Sequence, residues 1–242
     1  MEEKLKLISG QIHWSLLVKT AVWVLGWWFL PFGLFLVLTF YLYFVPPLRS
    51  GQLFWPFFLI LVLAFFWRGD AFMGLLLGVL VYLLFGIKDL IFVNRKFVLE
   101  VLSIFGLFLL SFAILERIEN WFSLRAILGS AFLAVVFGLL FRTFKNYREL
   151  PKRVEGDDGS TKIEVFMIGV TVFIVFQLAF VLIVLPVPDM YKIALFFATI
   201  VAIWEILQKY LDGMLTKRRV LIVASVLLSI FVLLLVSNIW TF

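Results

Sequence analysis

The chain is 242 residues long, 64% apolar and 19% aromatic, with 15% charged residues and a mean hydropathy of +1.15. A water-soluble domain of this length carries about a quarter charged residues, so these proportions exclude a soluble globule and describe a chain whose solvent is mostly lipid. The net charge of +6 suits an anionic leaflet; its basic residues lie between apolar runs, which gives no nucleic-acid footprint. With no cysteine and one histidine, His13, there is no disulfide, no thiolate chemistry and no multi-histidine metal centre to expect.

Hydrocarbon offers a backbone no hydrogen-bond partner, which leaves helices and closed barrels as spanning structures. The apolar runs are continuous rather than alternating. The expected fold is therefore all-α, a polytopic membrane helix bundle of eight spans within a range of seven to nine, forming one membrane domain over residues 1–242. The first 30 residues hold Lys4 and Lys6, but Lys19 interrupts the apolar run behind them and no small-residue cleavage site follows. The N-terminus thus reads as retained structure rather than a signal peptide.

Residues 20–45 admit two readings. One is a single span of 26 residues, followed by 54–67 and the Arg68-Gly69-Asp70 break, for eight spans in total. The other is a turn at Leu30-Pro31-Phe32-Gly33, which makes two short spans out of residues 12–45, gives nine spans in total, places Trp27 and Trp28 at an interface and brings Lys4 and Lys6 inside. Length favours the first and charge the second. A single broken helix over 54–87 would run to about 50 Å against a hydrocarbon core of about 30 Å. Arg68-Gly69-Asp70 reads most simply as an outer hairpin with solvated charges.

From residue 71 the spans are expected at 71–87, 97–115, 126–141, 163–185, 192–211 and 220–240. Cytoplasmic loops carry the excess of Lys and Arg. Lys88, Arg95 and Lys96 fall in one connector, Arg142, Lys145, Arg148, Lys152, Arg153 and Lys162 in the next but one, and Lys209, Lys217, Arg218 and Arg219 in a third. The alternate connectors hold only Arg117, Arg125 and Lys192. Thirteen against three sets the orientation with the C-terminus outside, in a multi-pass protein assigned to the plasma membrane. Asn94-Arg95-Lys96-Phe97-Val98-Leu99 resembles Thr216-Lys217-Arg218-Arg219-Val220-Leu221 at an offset of 122 residues, a pattern shared by a duplicated four-helix unit and by any two helices that start in the cytoplasm.

Ionisable and amide groups inside spans are the functional candidates, because hydrocarbon makes them costly. Glu205 lies about 9 Å from the cytoplasmic end of its span and one turn from Lys209, the spacing of an ion pair. Glu100 sits three residues into its span behind Arg95 and Lys96, where the helix dipole favours an acid. Gln177 is the deepest strongly polar side chain of the C-terminal half and fits an interhelical hydrogen bond. Together Gln177, Glu205 and Glu100 are the candidate polar lining of a cavity.

Residues 142–162 form the expected cytoplasmic basic loop. Arg142, Lys145, Arg148 and Lys152 recur every three or four residues, so a helical extension ending at Pro151 presents one basic face, continued by Arg153, to anionic lipid headgroups. Residues 155–159 lack calcium-loop spacing. No phosphate loop, nucleophile elbow or Schiff-base lysine is present, so neither cofactor nor metal is expected. The leading expectation is a nonenzymatic helix bundle that supports an assembly, with protein partners or a second copy, or interacts with membrane lipids. The alternative is a small-solute carrier or substrate-binding membrane subunit. An intramembrane enzyme ranks behind both, since its acid and base would have to come from Glu100, Glu205, Asp70 or His13.

Overall fold

The computed structural model describes residues 13–45, 51–92, 94–117, 124–149, 158–185, 187–211 and 213–239. Every regular element among the described residues is a helix. They are α1 (Trp14–Phe29), α2 (Phe32–Phe44), α3 (Phe54–Phe66), α4 (Ala71–Lys88), α5 (Arg95–Leu115), α6 (Leu124–Glu149), α7 (Asp158–Val184), α8 (Asp189–Leu211) and α9 (Lys217–Ile239). Five of them, α4 to α8, are long and apolar enough to cross a membrane; α1, α2 and α3 are apolar but shorter, at 16, 13 and 13 residues. The chain is a helical membrane protein. It folds as two compact units, Met1–Gly106 with Thr143–Lys152, and Leu107–Arg142 with Arg153–Phe242.

In the first unit the chain turns at Leu30-Pro31, so residues 20–45 form two helices rather than one continuous span. Leu30 is extended, as a residue before proline prefers, and Pro31 begins the next helix with no N–H to leave unpaired. The two helices run antiparallel and pack Trp23 edge-on against Phe35 at 5.1 Å. Phe32 meets Phe65 of α3 at 5.5 Å near one end of α2, while Tyr43 stacks on Phe57 at 3.8 Å near the other. α4 then lies along α1, close enough that a methyl group on Gly74 would run into Trp27 and one on Gly78 into Val24.

Two features singled out in the sequence gain partners here. Trp27, near the end of α1, is buried, and its indole N–H donates to the Ala64 carbonyl at 3.0 Å, which satisfies its polar edge inside the unit, while Trp28 remains exposed. The Arg68-Gly69-Asp70 hairpin forms, with Gly69 at φ +97°, but its charges do more than face solvent. Asp70 Oδ1 accepts from the N–H groups of Phe72 and Met73 at 2.9 and 3.1 Å, capping α4. Arg68 Nη2 donates to the Leu30 carbonyl at 2.7 Å, answering an open acceptor at the end of α1, and its guanidinium lies 5.3 Å over Phe32.

In the second unit Trp204 of α8 packs edge-on against Phe137 and Phe141 of α6 at 5.8 and 5.1 Å. α7 turns Thr171, Val175, Ala179 and Leu182 inward, one stripe at helical spacing, and packs beside α8. α9 also packs on α8 and leaves most of its described side chains exposed.

Replacing Asp70 with Ala removes the cap and is expected to lower unfolding stability by about 1 kcal/mol, with Asp70→Asn close to wild type. Gly74→Leu, which must displace a buried indole, is expected to cost more, about 2 kcal/mol. Reversible denaturation in mixed micelles checks both.

Candidate functional site

The end of α4 builds a polar cluster inside the first unit, from Lys88, Asp89 and Lys19. Leu90 adopts a left-handed conformation at φ +62°, the Ile91 N–H returns to the Gly86 carbonyl at 3.0 Å, and Gly86 has no Cβ to obstruct the ring of Phe92 folding back on it. This is the six-to-one closure of a helix C-terminus, here with leucine where glycine is usual, at a cost of about 1 kcal/mol. Arg95 holds the turn by donating from Nε to the Phe92 carbonyl at 2.9 Å and from Nη2 to the Leu90 carbonyl at 3.1 Å.

The turn directs Lys88 into the unit and Asp89 toward α1. Asp89 Oδ2 accepts from Lys19 Nζ at 2.7 Å, a pair that joins residues 70 apart in sequence. Lys88 is 1% exposed at its side chain; its Nζ stands 4.0 Å from Asp89 Oδ1 and 5.4 Å from the ring of Tyr43. Neither Lys88 Nζ nor Asp89 Oδ1 has a hydrogen-bond partner among the described residues. Two ammonium groups thus share one carboxylate, and the excess positive charge is met by the Tyr43 π-face and the negative end of the α4 dipole.

This arrangement clamps α1, α2 and α4 at one end of the unit. It offers no reachable nucleophile, since Lys88 is fully buried. Among the described residues there is no group of three His, Asp or Glu side chains that holds a metal ion. Sequence reasoning missed the cluster. Lys19 reads as an interruption, Lys88 as one more loop lysine, and Asp89 attracts no notice. The available signal was that lone charges bordering apolar runs require partners, but nothing local says which.

The residues singled out from sequence lie elsewhere. Gln177 and Glu205, both in the second unit, are exposed; Glu100, in the first, is half-buried. Glu205 and half-buried Lys209 share a helix face, yet among the described residues no ion pair joins them. α6 continues as a helix to Glu149, as the extension of the basic segment requires. Along it Arg142 is exposed, whereas Lys145 is buried and has an interaction partner. Arg148 falls in the last turn of α6; Lys152 and Arg153 lie outside the described residues. His13 is exposed at the start of α1, its carbonyl accepting from the Leu16 and Leu17 N–H groups. Comparison with family models, curated proteins and solved structures finds no match to this chain.

Removing the shared carboxylate with Asp89→Asn leaves two cations unanswered and is expected to destabilise the protein by about 3 kcal/mol. Lys88→Met removes the surplus charge and fills its space, so it is expected to be neutral or stabilising. Parallel denaturation curves in mixed micelles order the two; equal losses would show that Lys88 is not the surplus partner.

Proposed function

We propose that this chain is a nonenzymatic membrane helix bundle whose role is assembly with other membrane components, protein or lipid, rather than transport or chemistry. One observation carries the reading: four serine and threonine hydroxyls of α5 to α8 in the second unit are engaged by their own helices, and Gln208 Nε2 is the one buried side-chain amide atom there without a partner among the described residues. Ser111 donates to the Phe108 carbonyl at 2.7 Å, and Ser130, Thr171 and Thr199 donate at 2.8 Å to the carbonyls of Ala126, Met167 and Leu195. Around them the core is apolar and aromatic, with Phe137, Phe141 and Trp204 packed ring to ring. A carrier needs convergent polar groups free to hold a solute. The two expected to do so in this unit, Gln177 and Glu205, are exposed instead.

The same reading includes nine crossings, with the N-terminus and the connectors 88–96, 142–162 and 209–219 on the cytoplasmic side, the C-terminus outside, and the basic 142–162 connector against anionic headgroups of the plasma membrane. The antiparallel α1–α2 hairpin supports the ninth crossing, and the Lys and Arg asymmetry supports the orientation. Helices of 13 residues are about 20 Å long, so α2 and α3 cross where the bilayer thins around them.

The absence of native cysteine makes the interior directly testable. Ser111→Cys, Ser130→Cys and Thr171→Cys, each in the full chain in liposomes, are expected to resist a membrane-impermeant thiol reagent until the protein is denatured. Met214→Cys, at a position 60% exposed between α8 and α9, is expected to react at once from the side it faces. Rapid labelling at the three interior positions would reveal a water-filled path and favour the carrier.

A further inference from the structure

The apolar stretch of α7 covers Val165–Val184, about 30 Å of helix. Gln177 lies seven residues from its far end, about 10 Å inside the hydrocarbon boundary, deeper than a glutamine side chain extends. It sits on the face opposite the buried Thr171–Val175–Ala179 stripe, among Phe166, Val170, Phe173 and Val181, which are 69%, 39%, 58% and 54% exposed. Its amide forms no hydrogen bond with any described residue. Lipid tails supply neither donor nor acceptor, so the interhelical bond that such an amide requires is not made to any described residue.

We infer that this face of α7 pairs with the same face of a second copy, through reciprocal amide hydrogen bonds between the two Gln177 side chains. The inference deepens the assembly reading above and rests on it. Three features select a second copy. A carboxamide carries both donors and an acceptor, so it complements itself. Two copies inserted in the same orientation and related by a two-fold axis normal to the membrane bring Gln177 to the same depth automatically. Phe166, Val170, Phe173 and Gln177 follow one another at four, three and four residues, the alternation of a helix–helix seam, in which one polar position fixes register and stoichiometry.

Ser225, Ser229 and Glu205 do not serve as partners. Ser225 and Ser229 on the exposed α9 donate to the carbonyls of Ile222 and Ser225 and are satisfied. Glu205 lies 16 residues along α8 from its start, about 13 Å away from Gln177 in depth, too far to meet it across an interface.

The test uses the full chain in liposomes at increasing lipid-to-protein ratio, with dimer fraction read by single-molecule photobleaching. Wild type is expected to dimerise, Gln177→Leu to lower the association constant about tenfold or more, and Gln177→Asn to retain most of it. Single cysteines at Val170, Phe173 and Val181 are expected to form disulfide-linked dimers on oxidation, while cysteines at Val175 and Ala179 and at Leu228 of α9 are not. A monomeric wild type, a Gln177→Leu variant that dimerises like wild type, or cross-linking through Leu228→Cys instead of the α7 face would each overturn the pairing. A monomeric wild type whose Ser130→Cys variant stays unlabelled would overturn the pairing alone, whereas a labelled Ser130→Cys would overturn the reading on which it rests.

Discussion

Hydrocarbon provides no hydrogen-bonding partner, so polar groups within the spans of this chain must be answered by the chain itself or by whatever is packed against it. Five interior hydroxyls comply locally: Thr39, Ser111, Ser130, Thr171 and Thr199 each bond a carbonyl three or four residues earlier on their own helix, whereas the buried Ser103 hydroxyl finds no partner among the described residues. Tryptophan 27 complies over a longer range by reaching the Ala64 carbonyl of α3. At the helix ends the same constraint gives Asp70 and Arg68 their tasks, one closing the amides of α4 and the other the carbonyl end of α1. Two residues of opposite charge, separated only by Gly69, thereby close the ends of two different helices.

Among the side chains without a hydrogen-bond partner in the described residues, Lys88 and Gln177 differ in kind. Lys88 is buried in the first unit with a single carboxylate in reach that is already bonded to Lys19. The cluster is a clamp that holds more charge than it neutralises. Its position at the end of α4 depends on a left-handed leucine and on Arg95 gripping the turn, so backbone strain and charge placement are coupled at one point. Gln177, in the second unit, is exposed rather than buried and bonds no described residue, which is why a second copy is proposed to supply what it lacks. The first imbalance concerns stability within a unit and the second concerns association.

Much of the fold was legible because hydropathy reports solvent directly. The runs 71–87, 97–115, 126–141, 163–185 and 192–211 reappear as α4 to α8. Their ends differ where a helix continues beyond the hydrocarbon, as α6 does to Glu149, since the composition that marks a span does not mark where a helix stops. The turn at Leu30-Pro31 was legible from its residues but opposed by length, because two helices of 16 and 13 residues each look too short alone. The Lys19–Asp89 pair was not legible: the partners are 70 residues apart and only the antiparallel course of α1 and α4 brings them together. Gln177 was recognised as deep and polar, but α7 is apolar around its circumference, so no amphipathic phase told which side faces protein.

The proposed crossing of the membrane by each helix, in the direction the basic connectors predict, is tested most directly by sidedness of labelling. Single cysteines at Gly33, Gln52, Met190 and Met214 occupy exposed positions at successive helix junctions or ends. With an impermeant thiol reagent on sealed, oriented vesicles, Gly33→Cys and Met190→Cys are expected to react only from the outside, and Gln52→Cys and Met214→Cys only from the cytoplasmic side. Reaction of Gly33→Cys and Gln52→Cys from the same side would show that α2 does not cross, and reaction of Met190→Cys and Met214→Cys from the same side would contradict the orientation of the whole C-terminal half.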